Sequence, residues 1–152
     1  MSEKETIPLF EGVTGVADET ELSWAFPTVS PGLAPLGGRL VVQLRRIKKN
    51  IGKIILVEET KESEKWNNMI GKVISVGPLA FKNRDTMASW PEGSWVQVGD
   101  FVRVPRWGGD RWERQVPGEE GSELNPVLFM TINDHEVIAQ VTDNPLSFKA
   151  YV

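Results

Sequence analysis

The sequence predicts an all-β protein on three observations: short aliphatic runs, glycine and proline between them, and no apolar stripe of helical period. Arg39-Leu40-Val41-Val42-Gln43-Leu44 follows the breaker Pro35-Leu36-Gly37-Gly38 and reads as the first strand. Ile70-Gly71-Lys72-Val73-Ile74-Ser75-Val76, closed by Gly77-Pro78, reads as the next. Residues 95–98 and 101–104 read as two strand pieces around Gly99-Asp100, where glycine supplies positive φ and aspartate a local side-chain bond. Val96 and Val98 alternate onto one face, as do Val102 and Val104. Residues 126–131 and 136–141 make a final pair, with Asn133-Asp134 at the turn. The best helix candidate, residues 58–66, has too few apolar positions for a buried stripe. Short strands with this punctuation predict a small barrel or sandwich.

Residues 1–34 read as an N-terminal extension without a sustained period. Its scattered Ile7, Leu9, Phe10, Leu22, Trp24 and Phe26 are too many for a solvated tail, so part of it is expected to dock on the body or on a neighbouring subunit. Residues 35–142 form the body and 143–152 a C-terminal tail. Two hydrophilic stretches, 79–94 and 107–125, interrupt the strands and are expected to be excursions.

No apolar run approaches the ~20 residues of a membrane span. Met1-Ser2-Glu3-Lys4-Glu5 lacks the basic, then apolar, pattern of a signal peptide. A cytoplasmic protein is the expectation. With no cysteine in the chain, disulfides, thiolate metal sites and thiol nucleophiles are excluded together. The net charge of -4 argues against a general nucleic-acid binder, but the charge is uneven. Six acids face only Lys4 in residues 1–34, whereas Arg45, Arg46, Lys48, Lys49 and Lys53 meet no acid between 45 and 53.

Catalytic and metal constellations are weak. His135 is the only histidine, which removes a triad or a multi-histidine metal site. Asp110 with Glu113, and Glu119 with Glu120, lie in glycine-rich hydrophilic sequence without apolar neighbours to raise a pKa, so solvated loops are expected. Gly37-Gly38 and Gly108-Gly109-Asp110 match no phosphate-binding fingerprint. The chain is therefore expected not to be an enzyme and to bind no cofactor or metal. Trp90, Trp95, Trp107 and Trp112 lie in or beside the excursions. Such residues either pack the excursions onto the body or stack on sugars and bases.

The segment around Ile47, Ile51, Ile54 and Ile55, ending at Leu56, is apolar among lysines. Two readings stand open: a hairpin tip folded onto the body, or an arm whose apolar tip is satisfied only on a partner.

The order of these pieces resembles the GroES-type co-chaperonins, the ten-kilodalton chaperonin family. Residues 35–42 are similar to the family's opening turn and first strand, and Gly52-Lys53-Ile54-Ile55-Leu56 to its Gly-Gly-Ile-Val-Leu mobile loop. Gly71-Lys72-Val73-Ile74-Ser75-Val76-Gly77 is similar to its Gly-Lys-Val-x-x-Val-Gly strand, and residues 98–102 to its Gly-Asp strand pair. Residues 133–141 fit its acidic turn and Ile-x-Ala-x-Val ending. The resemblance spans Pro35 to Val141, with Lys53 where the family has a second glycine. The extended ends and tryptophan-rich middle resemble phage-encoded members.

The resemblance implies a GroES-like β-barrel with a mobile loop at about 46–57 and a roof excursion at about 79–94. It implies a heptameric lid for an ATP-driven, GroEL-type chaperonin ring, in the cytoplasm (the host's, if phage-encoded), with non-native polypeptides as clients and ATP bound by the partner ring. Gly52, Lys53, Ile54, Ile55 and Leu56 are the implied chaperonin contacts. The strand of Leu40, Val41 and Val42 is implied to pair with a neighbour's Val137, Ile138, Ala139 and Val141. Arg45, Arg46, Lys48 and Lys49 would steer the loop to an acidic ring surface. Burying Ile54, Ile55 and Leu56 is worth roughly 5–9 kcal/mol per loop, and ordering about ten residues costs ~1–2 kcal/mol each, less the order that the free loop retains. The two nearly cancel, so affinity would come from several loops engaging together. The competing readings are a virion structural or decoration protein on the same fold, and a β-barrel module for nucleic acid or carbohydrate.

Overall fold

A computed structural model describes residues 19–46, 50–51, 54–55, 68–119 and 125–148. It is mostly β. A helix, α1 (Glu19–Ala25), precedes eight strands: β1 (Arg39–Leu44), β2 (Asn50–Ile51), β3 (Ile54–Ile55), β4 (Ile70–Val76), β5 (Phe101–Arg103), β6 (Asp110–Arg114), β7 (Val127–Asn133) and β8 (Ala139–Gln140). Six of them form one antiparallel sheet in the order β6-β7-β1-β4-β5-β8, and β2 pairs with β3 separately. The order ends at β6 and β8, so the sheet is not closed into the barrel that the sequence suggested.

β1 is central, and its composition says why. Leu40, Val42 and Leu44 point into the main core with Val73, Val102, Val104, Leu128, Met130 and Ile132. Val41 points the other way, into a second cluster with Val29, Val127 and Phe129. A strand covered on both faces reads as a near-continuous aliphatic run, the pattern of residues 40–44, which only Gln43 interrupts. β7 shares the alternation: Val127 and Phe129 go to one cluster, Leu128, Met130 and Ile132 to the other. Gly77, just after β4, lets the chain close against the start of β1, since a Cβ there would collide with the carbonyl oxygens of Gly37 and Arg39.

The second face is covered by the N-terminal extension. Gln43 Nε2 donates to the Pro27 carbonyl at 2.8 Å, and Trp112 Nε1 to the Pro31 carbonyl at 2.7 Å. Phe26 meets Phe101 edge-on at 5.1 Å. Residues 19–31 are thus a strap on the body, as the scattered apolar residues of this segment required.

The first face is closed by the excursion after β4. Ala80, Phe81 and Val96 enter the main core, and Phe81, Trp90 and Trp95 form an aromatic group with centroids 5.1 to 6.1 Å apart. Phe81 holds φ 61, a conformation non-glycine residues rarely adopt. It is fixed there by Asp134, whose buried carboxylate accepts the Phe81 N–H at 2.8 Å.

Three local expectations are corrected. Residues 95–98 are not a strand: Asp100 Oδ2 accepts the Gln97 N–H and Gly99 donates to Val73, so the segment is consumed by the turn at Gly99, φ 100. Residues 110–114 are a strand, β6, despite their charges. The last strand shrinks to β8 after a 3-10 turn at Asp134–Glu136, and it pairs with β5 rather than β7. The weak helix candidate 58–66 lies outside the described residues.

Candidate functional site

The site is the part of the sheet that flanks residues 47–67, at Arg45 and Arg46 on one side and Asn68 on the other. Its ascending arm ends β1. The Arg45 N–H donates to the Ile70 carbonyl at 3.0 Å. On the descending arm, the buried Asn68 donates from Nδ2 to the Arg45 carbonyl at 2.6 Å and accepts the Ile70 N–H at 3.1 Å. One asparagine therefore closes the stem of the segment, satisfying backbone groups that would otherwise be buried unpaired.

Arg45 and Arg46 extend the clamp outward. Arg45 Nη1 donates to the Pro145 carbonyl at 2.7 Å, where Asn144 caps the 3-10 turn Pro145–Ser147, so the C-terminal segment is tied in. Arg46 reaches the opposite way. Its Nε donates to the Trp24 carbonyl at 2.7 Å, and its guanidinium lies 4.2 Å over the Trp24 ring. Nη1 and Nη2 grip both carboxylate oxygens of Glu119 at 2.7 and 3.0 Å, and Nη1 also donates to the Asn125 carbonyl at 3.0 Å. A planar guanidinium has the fork geometry for a bidentate grip of this kind. Both arginines are buried, Arg45 7% and Arg46 6% exposed. For Arg46 this replaces the implied steering role, since Glu119 neutralises its charge inside the fold; Arg45 is buried against the Pro145 carbonyl. Their role is to anchor.

Glu119, expected to be a solvated loop carboxylate, is the partner of this clasp. Its pKa falls below the ordinary 4.5, first through the hydrogen bonds from Arg46, against the raising effect of burial, and then through the Arg46 charge. A group with a depressed folded-state pKa stabilises the fold above its unfolded pKa and loses that contribution as the pH falls through the folded value. At neutral pH, Glu119→Gln is expected to lower stability by about 1–2 kcal/mol. The gap to the parent protein should close as the pH drops below the carboxylate range. Urea unfolding of both proteins across an acid series measures this, and a gap independent of pH would refute the ion pair.

Of the implied chaperonin contacts, Ile54 and Ile55 form β3, in antiparallel register with β2: Asn50 faces Ile55 and Ile51 faces Ile54. Gly52, Lys53 and Leu56 lie outside the described residues, as do Lys48 and Lys49. The implied subunit strand is also revised. Leu40, Val41 and Val42 are fully buried, and β1 is hydrogen-bonded to β4 on one side and to β7 on the other. It has no edge left for a neighbour. The other half of that implied interface lies at a sheet edge. Val137 enters the main core, the Ile138 and Val141 N–H groups donate to Arg103 and Phe101, and Ala139 belongs to the edge strand β8. Ile138 is 54% exposed beside an open cavity of ≈ 470 Å³, lined also by Glu92, Trp95 and Gln140.

No family model matches this chain, and no curated protein matches it. The remaining candidates from the sequence resolve on geometry. His135 is an exposed turn residue 3.4 Å from Asp134 Oδ1. Trp112 packs parallel to Phe129 at 5.8 Å, and Trp90 and Trp95 join the Phe81 group, so these three hold the excursions to the body. Trp107 is different, 71% exposed at the turn between β5 and β6 with the Arg106 guanidinium 5.3 Å from its ring. Among the described residues, no helix is long and apolar enough to cross a membrane.

The clasp was not read from the sequence because its partners are remote: Glu119 lies 73 residues from Arg46. One signal was present. Five bases without a local acid call for a distant acceptor, but nothing in the sequence singles out Glu119 among the many acids that adjoin glycine, proline or asparagine.

Proposed function

We propose that this protein is a GroES-type co-chaperonin: a lid subunit whose Ile54-Ile55-Leu56 segment docks on a GroEL-type chaperonin ring. The observation that carries the reading is the small β2–β3 hairpin. It pairs outside the six-stranded sheet, and the residues that flank the segment, Arg45, Asn68 and Ile70, are hydrogen-bonded to one another. A two-stranded hairpin outside the main sheet, with Ile51, Ile54 and Ile55 in its sequence, suits a partner-docking arm, and it falls at the position of the family-like loop motif in the chain.

In this reading the sheet and its roof excursion form a GroES-like body, and copies assemble into a heptamer. Neighbours meet along the β8 edge at Ile138 and Ala139, where a strand edge with no partner among the described residues calls for cover. ATP is bound and hydrolysed by the partner ring, this chain carrying no cofactor, and clients fold in the enclosed chamber. The work is done in the cytoplasm, the host's if the protein is phage-encoded. Exposed Trp107 is the one feature that favours a sugar- or base-stacking module instead.

Size-exclusion chromatography with light scattering tests the reading, run with and without a GroEL-type ring and ATP. The expected result is a ring-sized oligomer that co-elutes with the chaperonin only when nucleotide is present. A monomer that never co-elutes overturns it. Binding to single-stranded nucleic acid that falls steeply with salt would move the assignment to the stacking module.

A further inference from the structure

We propose that Trp107, on the turn between β5 and β6, is a second, fixed contact for the chaperonin ring, seated against an apolar patch edged by carboxylates. The proposal rests on the co-chaperonin reading for the identity of the partner, and it gives the exposed tryptophan a role within that reading.

The first argument is exposure, set against the other tryptophans of the excursions. Trp90 and Trp95 pack in the Phe81 group and Trp112 stacks on Phe129, whereas Trp107 is 71% exposed. Tryptophan and arginine are the residue types most enriched where interfaces concentrate their binding energy. Arg106 supplies the second, with its guanidinium 5.3 Å from the Trp107 ring centroid. Side by side they offer apolar area and positive charge together, which selects an apolar partner surface with acids at its edge.

The second argument is that the turn is held in place. Gly108 and Gly109 take φ 96 and 71, the left-handed region that glycine enters without strain. Gly109 lies so close on β7 that a Cβ there would come within 2.9 Å of the Met130 methyl group and the Thr131 carbonyl oxygen. On the other side of Trp107, Arg111 Nη2 donates to the Pro105 carbonyl at 3.1 Å and to the Arg106 carbonyl at 3.3 Å. The backbone that presents the indole is thus fixed from both sides before any partner arrives. A contact of this kind adds burial at little ordering cost. The loop motif lacks that advantage, because its burial gain and its ordering cost nearly cancel.

The third argument is placement. The Val104 N–H donates to the Met69 carbonyl at 2.8 Å, and Arg103 Nη2 reaches Met69 Sδ at 3.7 Å. Met69 follows Asn68, which flanks residues 47–67. The turn that carries Trp107 therefore starts beside the flank of the loop segment, which makes the ring the partner nearest to hand.

Binding to an immobilised, ATP-loaded chaperonin ring is measured for the parent protein, Trp107→Ala, Trp107→Phe and Arg106→Ala. Trp107→Ala is expected to bind roughly tenfold more weakly at an unchanged urea midpoint, and Trp107→Phe within a few-fold of the parent. Arg106→Ala should show a shallower loss of binding with added salt. Oxidative footprinting of the parent protein, read at Trp107 by mass spectrometry, is the second readout, and oxidation there should fall only when ring and ATP are both present. Should Trp107→Ala prove destabilised, the footprint decides.

Undiminished binding of Trp107→Ala overturns the proposal, as does equal oxidation of Trp107 with and without the ring. Protection that sets in with protein concentration alone would assign the indole to a second copy of this chain. Oligonucleotide binding that is lost in Trp107→Ala would assign it to base stacking, and either result overturns the ring contact. Ring binding that Ile55→Asp abolishes and Trp107→Ala leaves intact removes this contact alone. A parent protein that never binds the ring brings down the co-chaperonin reading and the contact with it.

Discussion

Replacing Phe129 with alanine is expected to remove about 3–5 kcal/mol of unfolding free energy, among the largest losses a single side chain here can cause. Phe129 is fully buried in β7, opposite Gln43 of β1 and Trp112 of β6, in the middle of the face that the strap covers. Trp112 stacks on it at 21° between ring planes, and Val29 of the strap joins the same cluster. Truncation removes the transfer energy of the ring and leaves a cavity, and the cavity is hard to close. The strap cannot settle into it, because the Pro27 and Pro31 carbonyls are held by Gln43 and Trp112 at either side. Urea unfolding should show a lower midpoint at an unchanged slope. A loss below about 1 kcal/mol would mean that the strap collapses onto the sheet and is not seated by its hydrogen bonds.

The same face shows what the sequence could and could not convey. β1 and β4 were legible as aliphatic runs between glycines, and the turn at Gly99 as a turn, because local chemistry decides them. β6 was not, because Asp110, Arg111, Glu113 and Arg114 surround a single Trp112 that does the packing. It is an edge strand, where charge guards against further pairing, and guarded edges look like loops when read residue by residue. α1 was missed for another reason. Seven residues are too few to display a period, and what holds Trp24 and Ala25 in place is Arg46, twenty-odd residues along the chain. The family-like motif at Ile54-Ile55 was visible as a pattern. The contacts of the flanking arginines were not, since as charges Arg45 and Arg46 read like the lysines that follow them, and their acceptors at Pro145, Trp24 and Glu119 are remote in sequence.

Ile55→Asp is expected to abolish binding to a nucleotide-loaded chaperonin while leaving the unfolding midpoint of the body unchanged. The second half follows from topology: β3 pairs with β2 alone, and neither belongs to the six-stranded sheet that carries both cores. The first half follows from the proposed docking. Loss of one buried isoleucine forfeits about 1.5–3 kcal/mol per loop, and a carboxylate forced into the same apolar site adds a desolvation penalty of several kcal/mol. A loop whose burial gain barely exceeds its ordering cost has no reserve to absorb this. Because avidity multiplies the single-loop affinity around the ring, a modest change per loop becomes a complete loss for the assembly. Ile55→Leu, which keeps the apolar volume, should bind within a few-fold of the parent. A pull-down with the chaperonin ring and ATP separates the outcomes. Undiminished capture of Ile55→Asp would show that β3 is not the docking surface, and equal loss in Ile55→Leu and Ile55→Asp would point to the shape of the hairpin and not to its apolar surface.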